Sequence, residues 1–215
     1  MLLEDERSGL CAIGLRLAET GLVTGSSGNV SVRVGDLVAV TPGGVMLDRL
    51  RPEDCPVLDV EGYLLEGERA PSSETPMHLA LYAATDAAAV VHTHSTYGAV
   101  VATTMTELPP IHYNVLLLGG TVRVAEYATY GTPELAAHVR TAMEGGKRAA
   151  LLANHGGVAI GRDLDEAYEN ARLLEWLCGV YVRSRMIGEP RILTDDELQQ
   201  VVERALTPPV FPRRS

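Results

Sequence analysis

Apolar residues recur along this chain with two periods, one typical of helices and one typical of strands. Near the amino terminus, Leu10, Ile13 and Leu17 share one face of a predicted helix. The five helices predicted by patterning and end signals cover about 4–20, 75–85, 132–144, 163–186 and 195–205. Shorter apolar or alternating runs predict strands over 30–34, 37–41, 57–60, 88–92, 115–118, 121–125 and 149–153.

Two glycine-containing pairs predict hairpin turns between neighbouring strands. Gly35-Asp36 separates the first two predicted strands, and Gly119-Gly120 separates the fifth and sixth. Helices and strands are interspersed, without an internal repeat or a change of composition that would mark a linker. We therefore predict one α/β domain over residues 1–215, in which helices cover a sheet that contains antiparallel pairs.

Composition and charge narrow the class of protein. The chain has 215 residues, 46% of them hydrophobic, and a formal net charge of -10, so it lacks the basic footprint of a nucleic-acid-binding protein. The acidic residues 1–6 do not resemble a secretory signal, and no apolar run approaches the roughly 18 residues of a membrane span. Cys11, Cys55 and Cys178 are widely spaced, which is typical of reduced thiols. We expect a cytoplasmic protein without nucleic-acid or membrane partners.

The chain contains a single lysine, which bears on the possible mechanism. Lys147 follows Glu144-Gly145-Gly146, a run that predicts an exposed loop at the end of a helix. Schiff-base catalysis needs a lysine whose pKa is depressed, usually by burial. The sequence therefore disfavours imine chemistry.

Three histidines follow predicted buried strands. His92 and His94 are two positions apart at the end of one strand, so their side chains share one face. His155 follows a second strand and precedes two glycines, which allow close approach of backbone and ligands. Catalytic zinc sites commonly use three protein ligands and leave a position open. Histidines with purely structural roles would give the same spacing, so the pattern leaves both interpretations open.

The other three histidines are interpreted as structural or supporting residues. They are His78, His112 and His138. Of these we expect His112 to lie nearest the site, because Tyr113 follows it.

A carboxylate and two hydroxyls stand at the start of the second predicted helix. Glu74 is explained either by the helix dipole or as a general base. Ser72 and Ser73 are explained either as helix caps or as ligands of an anion at the helix start. The tight loops at Gly28-Asn29 and Gly43-Gly44 offer further backbone N–H donors. None of these loops has the spacing of a nucleotide-binding fingerprint.

Taken together, these segments resemble the class II aldolase/adducin family over nearly the whole chain. The runs that carry the resemblance lie at 28–33, 41–44, 71–74, 92–94, 111–113, 127–132 and 155–156. Each run is weak evidence alone, whereas their order and spacing together are specific.

The resemblance implies a three-layer α/β/α sandwich with a central, largely antiparallel sheet, assembled as a homotetramer with active sites between subunits. It implies that His92, His94 and His155 bind Zn²⁺ and that Glu74 is the acid/base, and a further ligand when substrate is absent. Tyr113 would reach into the neighbouring subunit's site and protonate the aldehyde oxygen. The residues implied to hold the substrate phosphate are Gly28, Asn29, Gly43, Gly44, Ser72 and Ser73.

The reaction implied by the resemblance is reversible cleavage of a ketose 1-phosphate, such as L-fuculose 1-phosphate, to dihydroxyacetone phosphate and L-lactaldehyde. Alternatives within the family are an L-ribulose-5-phosphate 4-epimerase-like enzyme, a methylthioribulose-1-phosphate dehydratase-like enzyme and a non-catalytic adducin-like scaffold. Glu74 favours the aldolase, because the epimerases typically carry Asp there. The three candidate ligands argue against a scaffold.

Two positions depart from the family pattern. Gly43 stands where the family often has Thr or Ser, so one phosphate hydroxyl is missing while the backbone N–H remains. The sugar-phosphate aldolases also place a second tyrosine near the carboxyl terminus, whereas Phe211 is the only aromatic residue after Tyr181. This departure leaves the aldehyde, and the role of the proline- and arginine-rich tail over 207–215, open.

Overall fold

Valine- and alanine-rich runs form the strands of one nine-stranded sheet, in a computed structural model that describes residues 1–207. The strands are β1 Asn29–Val34, β2 Leu37–Val40, β3 Val57–Asp59, β4 Leu64–Glu66, β5 Ala89–Thr93, β6 Glu107–Leu108, β7 Val122–Ala125, β8 Ala149–Leu152 and β9 Gly156–Gly161. Their order across the sheet is β4-β3-β2-β1-β5-β9-β8-β7-β6. The three strands that carry or adjoin the histidines, β5, β8 and β9, are therefore neighbours near its centre.

Helices cover both faces of this sheet. They are α1 Glu4–Glu19, α2 Thr75–Ala84, α3 Thr96–Thr104, α4 Pro133–Ala142, α5 Leu164–Ile187 and α6 Asp195–Leu206. Buried side chains of α1, α3 and α5, such as Leu10 and Leu174, share one core with Val91 of β5. Those of α2 and α4, such as Leu81, share the other core with Val90. Adjacent residues of β5 thus face opposite cores, as strand geometry requires, and the predicted three-layer sandwich is confirmed.

The sheet is largely antiparallel, as predicted, with one exception. Seven of the eight strand pairings are antiparallel, and only β7 and β8 run parallel. The mixed sheet follows from the chain path, because α4 carries the chain from β7 back to the start of β8. No helix within residues 1–207 combines the length and the apolar character needed to cross a membrane.

The hairpin predicted around Gly119-Gly120 is wrong. Residues Tyr113–Leu118 form a 3-10 helix, and the chain then turns through the two glycines into β7. Val115 and Leu118 are buried while Leu117 is 64% exposed. Positions three apart share a face of a 3-10 helix, whereas the alternation of a strand would bury positions two apart. The short apolar run did not distinguish these geometries.

Helix α3 and strands β4, β6 and β9 were not predicted. The start of α3 is stabilised from a distant part of the chain, because the Glu175 carboxylate of α5 accepts hydrogen bonds from the backbone N–H groups of Tyr97 and Gly98 at 2.9 and 2.7 Å. Strand β9 begins with two glycines, which usually indicate a loop. A Cβ on Gly156 would lie 2.2 Å from the Thr93 carbonyl oxygen of β5, so this strand needs glycine for close backbone approach. Phe211 and the tail beyond Thr207 lie outside the described residues.

Candidate metal centre

The end of β5 brings two histidines together. His92 is fully buried, and its Nε2 lies 2.9 Å from Nε2 of His94. The other ring nitrogen of His92, Nδ1, donates to the carbonyl oxygen of Gly157 on β9 at 3.0 Å. This hydrogen bond selects the tautomer in which Nε2 carries no proton, the form that binds a metal ion.

The third histidine reaches the same point from the turn between β8 and β9. Asn154 takes a left-handed conformation, with φ of 54°, which asparagine tolerates better than most residues. The N–H of His155 donates to Leu152 and closes this turn. The ring centroids of His92, His94 and His155 lie 4.8 Å from one another, so the three rings form a regular triangle.

Glu74 completes the group from the opposite side. Its Oε2 lies 3.1 Å from Nε2 of His92, and its Oε1 lies 3.4 Å from Nε2 of His155. One potential ligand atom from each of Glu74, His92, His94 and His155 lies within 4.8 Å of the others. The structure thus unites the four residues implied as metal ligands.

Glu74 stands directly before the first turn of α2. Thr75 is the first helical residue, and Glu74 is the cap residue, although its side chain makes no capping hydrogen bond. Instead Ser72 Oγ accepts from the Glu74 N–H at 3.3 Å, and Thr75 Oγ1 donates to the Ser72 carbonyl. The serine and threonine secure the start of the helix, which leaves the Glu74 carboxylate for the histidines.

The donor set fits a divalent metal ion. A tetrahedral ion about 2.0–2.1 Å from each ligand atom places those atoms roughly 3.3 Å apart, and the closest donor pairs here are separated by 2.9, 3.1 and 3.4 Å. Oε1 of Glu74 is buried and has no hydrogen-bond partner among residues 1–207. A buried anionic oxygen without a donor is costly, and a cation at this point would satisfy it.

Electrostatics hold His94, His155 and Glu74 in their ligating forms. Burial, reinforced by the neighbouring His92, lowers the pKa of His94 and of His155 to about 4. Burial alone would raise the pKa of Glu74, but His92, His155 and a hydrogen bond from Asn29 outweigh it and hold this pKa below its usual range. Near neutral pH His94 and His155 are therefore neutral imidazoles, and Glu74 is a carboxylate.

The supporting histidine is not the expected one. His112 stacks on Tyr113 with ring centroids 4.5 Å apart and also contacts Trp176, and it is not among the residues that converge on Glu74. His138 is half-buried, and its Nδ1 donates to the Glu126 carbonyl at 3.1 Å. His78 is the buried histidine behind the site, and it contacts Asn29.

A cavity of about 370 Å³ opens in front of Glu74, His94 and His155. All six residues implied to hold phosphate line it, namely Gly28, Asn29, Gly43, Gly44, Ser72 and Ser73. The remaining lining residues were not assigned to the site from the sequence: they are Ser26, Ser27, Pro42, Tyr127, Ala128, Tyr130 and Asn154. The two tyrosines belong to the run over 127–132, which is one of the runs that carry the family resemblance. Its tyrosines and its glycine, just before a helix that begins with proline, are the sequence signal that could have placed this run at the cavity. Tyr113 is not part of this lining.

Two glycines of the cavity have specific backbone roles. Gly28 has φ of 85°, and a Cβ there would lie 2.5 Å from Cγ1 of Val23 and 2.9 Å from the His92 carbonyl oxygen. The N–H of Gly43 donates to the Ala70 carbonyl at 3.2 Å. The expectation that this N–H remains for a phosphate is therefore wrong, because it closes the loop instead.

The cavity lining contains no lysine or arginine within residues 1–207. The single lysine, Lys147, lies elsewhere and donates from Nζ to the Gly119 carbonyl at 2.7 Å. An anion in the cavity would be held by hydroxyls, backbone N–H groups and the start of α2.

Comparisons with known proteins agree with this geometry. The profile of the family described as Class II Aldolase and Adducin N-terminal domain matches residues 8–182. A 5-deoxy-D-ribulose 1-phosphate aldolase from Bacillus thuringiensis serovar kurstaki is 39% identical over 209 residues, covering 95% of this chain and 97% of the relative. A 5-methylthioribulose-1-phosphate/5-deoxyribulose-1-phosphate aldolase from Rhodospirillum rubrum is 42% identical over 203 residues, covering 94% and 91%.

A solved structure of an L-fuculose 1-phosphate aldolase superposes with a TM-score of 0.91 at 41% identity, covering 96% of this chain and 98% of that one. The family profile, the relatives and the fold thus agree over most of the chain. The protein therefore belongs to the class II aldolase and adducin family and is a lyase of the class II aldolase type.

Proposed function

We propose that the protein is a Zn²⁺-dependent aldolase that reversibly cleaves a terminally deoxygenated ketose 1-phosphate to dihydroxyacetone phosphate and a short aldehyde. One observation carries the proposal. Glu74 and three histidines converge at one end of a cavity whose other end is lined by Ser72, Ser73 and glycine loops. A metal site beside an anion site suits a substrate that carries both a carbonyl group and a phosphate.

The donor set favours zinc over magnesium and calcium. Three imidazoles and one carboxylate are typical zinc ligands, whereas magnesium and calcium prefer all-oxygen sites. When bound, the ion supplies a Lewis acid that stabilises negative charge developing on the substrate oxygens.

The chain's own residues account for the protons. Cleavage of the bond between C3 and C4 leaves an electron pair on C3, which must gain a proton, while the C4 hydroxyl loses one as it becomes the aldehyde. Glu74 lies at the cavity and is the carboxylate that can exchange a proton with C3. The C4 hydroxyl requires a second group, for which Tyr113 of a neighbouring subunit is our candidate.

The phosphate end depends on the start of α2. Ser72 and Ser73 stand before a ten-residue helix, where the helix dipole and free N–H groups favour an anion. Gly44, with φ of 73° and open space beside it, allows close approach of a ligand to the backbone. Because no lysine or arginine of the described residues lines the cavity, this arrangement must supply the affinity for phosphate.

The names of these relatives offer three candidate sugars, which are 5-deoxyribulose 1-phosphate, 5-methylthioribulose 1-phosphate and L-fuculose 1-phosphate. Two curated relatives act on 5-deoxyribulose 1-phosphate, and the solved relative is named for L-fuculose 1-phosphate. The 5-deoxyribulose and L-fuculose phosphates both end in a methyl group, so cleavage gives acetaldehyde from the five-carbon sugar and L-lactaldehyde from the six-carbon sugar. Ala128, Tyr127 and Tyr130 provide the apolar part of the cavity that suits this methyl group.

The role of Tyr113 requires an oligomer, which we propose is a homotetramer with sites between subunits. Tyr113 is 51% exposed and outside the cavity of its own chain. The nearby Trp176 and the 64% exposed Leu117 of the same 3-10 helix extend this apolar surface. Exposed apolar surface of this kind is typical of an interface between proteins.

A coupled assay tests the proposed function. The zinc-loaded protein is supplied with 5-deoxy-D-ribulose 1-phosphate, L-fuculose 1-phosphate or L-ribulose 5-phosphate, and release of dihydroxyacetone phosphate is followed by NADH oxidation. We expect release from the first two sugars, and the larger kcat/KM identifies the better substrate. Conversion of L-ribulose 5-phosphate to its epimer, or no release from any ketose 1-phosphate by zinc-loaded protein, would overturn the proposal.

A further inference from the structure

We propose that His78 is a positioning residue that acts through Asn29 to fix the orientation of the Glu74 carboxylate. The inference rests on the role proposed above for Glu74. His78 lies on α2, one turn after Glu74, and is fully buried. It does not line the cavity, so any effect on the reaction must pass through another residue.

A continuous chain of hydrogen bonds joins His78 to the metal centre. Asn29 Nδ2 donates to Glu74 Oε2 at 2.9 Å, and Asn29 Oδ1 lies 2.6 Å from Nε2 of His78. On its other side, Nδ1 of His78 lies 2.7 Å from Oγ of Ser31, which lies 2.7 Å from the hydroxyl of Tyr82. All five side chains are buried.

Only one arrangement of protons gives every link in this chain of hydrogen bonds one donor and one acceptor. Because the Glu74 carboxylate can only accept, Asn29 must present its NH₂ group to it and its Oδ1 to His78. Nε2 of His78 must then carry the proton, and its Nδ1 must accept from Ser31. The Ser31 oxygen in turn accepts from the Tyr82 hydroxyl. The carboxylate therefore determines the tautomer of His78, and His78 in turn determines the orientation of the Asn29 amide.

Loss of the His78 donor would release the Asn29 amide. Oδ1 would then be buried without a partner, which is costly, or the amide would rotate and place its oxygen against Glu74. In either case Oε2 of Glu74 loses the donor that fixes it. Oε1 has no hydrogen-bond partner among the described residues, so it cannot hold the carboxylate in place. Residues that orient metal ligands in this way typically change metal affinity or activity by about 10–100-fold.

The same hydrogen bonds mean that the Asn29 side chain orients Glu74, a role separate from the phosphate binding that the resemblance implies. Both of its polar atoms are engaged by Glu74 and His78, and its backbone pairs with His92 across β1 and β5. Asn29 thus ties the strand that carries His92 to the carboxylate that faces it.

Three variants test the role of His78. His78→Phe keeps a planar ring without a donor, and His78→Gln keeps an N–H donor for Asn29. Leu81→Val changes a buried residue of the same helix that belongs to the apolar core. Zn²⁺ affinity of metal-free protein is measured by competition with a chromophoric chelator, beside kcat and KM for release of dihydroxyacetone phosphate.

We expect His78→Phe to lower Zn²⁺ affinity and kcat by about 10–100-fold, with KM within about threefold of the wild type. His78→Gln should recover most of both losses, and Leu81→Val should lower the melting temperature while leaving zinc affinity unchanged. Wild-type affinity and kcat in His78→Phe, or equal losses in Leu81→Val, would overturn the positioning role.

A measurement on the unaltered chain does not depend on how the variants fold. In ¹⁵N spectra of the metal-free protein, His78 should carry its proton on Nε2 and not on Nδ1. A proton on Nδ1 contradicts the chain of hydrogen bonds. If the wild type releases no dihydroxyacetone phosphate, the proposed function fails, while the spectra and the zinc affinities still decide whether His78 positions Glu74.

Discussion

Oε2 of Glu74 lies 3.1 Å from Nε2 of His92, although the whole of α2 lies between these residues in the sequence. The contact exists because the Glu74 side chain makes no capping hydrogen bond to its own helix and because the hydrogen bond from His92 to Gly157 turns Nε2 toward it. A carboxylate at a helix start and a histidine at a strand end thus become parts of one centre.

Replacing this carboxylate should separate metal binding from turnover. Glu74→Gln keeps the shape of the side chain but removes its charge and its capacity to hold a proton. Zinc should remain bound by the three imidazoles, while kcat falls at least about 100-fold. Metal content and coupled kinetics of the purified variant provide the measurement, with the exposed Glu61→Gln as a matched control. If kcat of Glu74→Gln equals that of the wild type, Glu74 is not the group that exchanges a proton with the substrate.

Mixed oligomers should reveal whether Tyr113 serves a neighbouring subunit. Glu74→Gln and Tyr113→Phe are each expected to be poorly active alone. If a site takes Glu74 from one subunit and Tyr113 from another, a randomly mixed oligomer contains about one quarter intact sites. Co-expression with two affinity tags isolates the mixed species. Activity no higher than that of the separate variants would place both residues in one subunit's site, or remove Tyr113 from the reaction.

The ion pairs of Asp54, which is not a residue of the metal centre, should make the stability of the fold depend on pH. Hydrogen bonds from Arg51 and Arg69 outweigh burial and lower the pKa of Asp54 from 3.8 to about 2. A carboxylate whose pKa is lowered by folding stabilises the fold above its unfolded pKa and loses that contribution as pH falls toward the folded value. Because Arg51 is 64% exposed and Arg69 is 49% exposed, we expect Asp54 to contribute about 1 kcal/mol to the free energy of unfolding.

Urea unfolding measures this contribution. Asp54→Asn should be less stable than the wild type at pH 7, and the difference should shrink as the pH falls from about 4 toward 2. Asp48→Asn, which changes an exposed carboxylate nearby, should show little difference at any pH. If the free energies of unfolding of Asp54→Asn and the wild type differ by the same amount at every pH, the lowered pKa of Asp54 is wrong.

The local placement of the site residues could be predicted from the sequence, whereas their chemical roles were assigned by the family resemblance. Strand geometry places His92 and His94 on one face, and serines before a helix indicate an anion site. What could not be predicted depends on distant contacts. Helix α3 relies on Glu175, and His78 gains its importance from Asn29, 49 residues away. Tyr113 was assigned to the site by resemblance, and one chain places it outside the cavity.

The most direct test of the central claim is zinc titration of chelator-treated protein in the coupled assay, with 5-deoxy-D-ribulose 1-phosphate and L-fuculose 1-phosphate as substrates. We predict that metal-free protein releases no dihydroxyacetone phosphate from either sugar. Activity should rise with added zinc and reach its maximum near one ion per chain, as the one four-residue site within residues 1–207 requires. Equal release before and after removal of the metal would contradict the account.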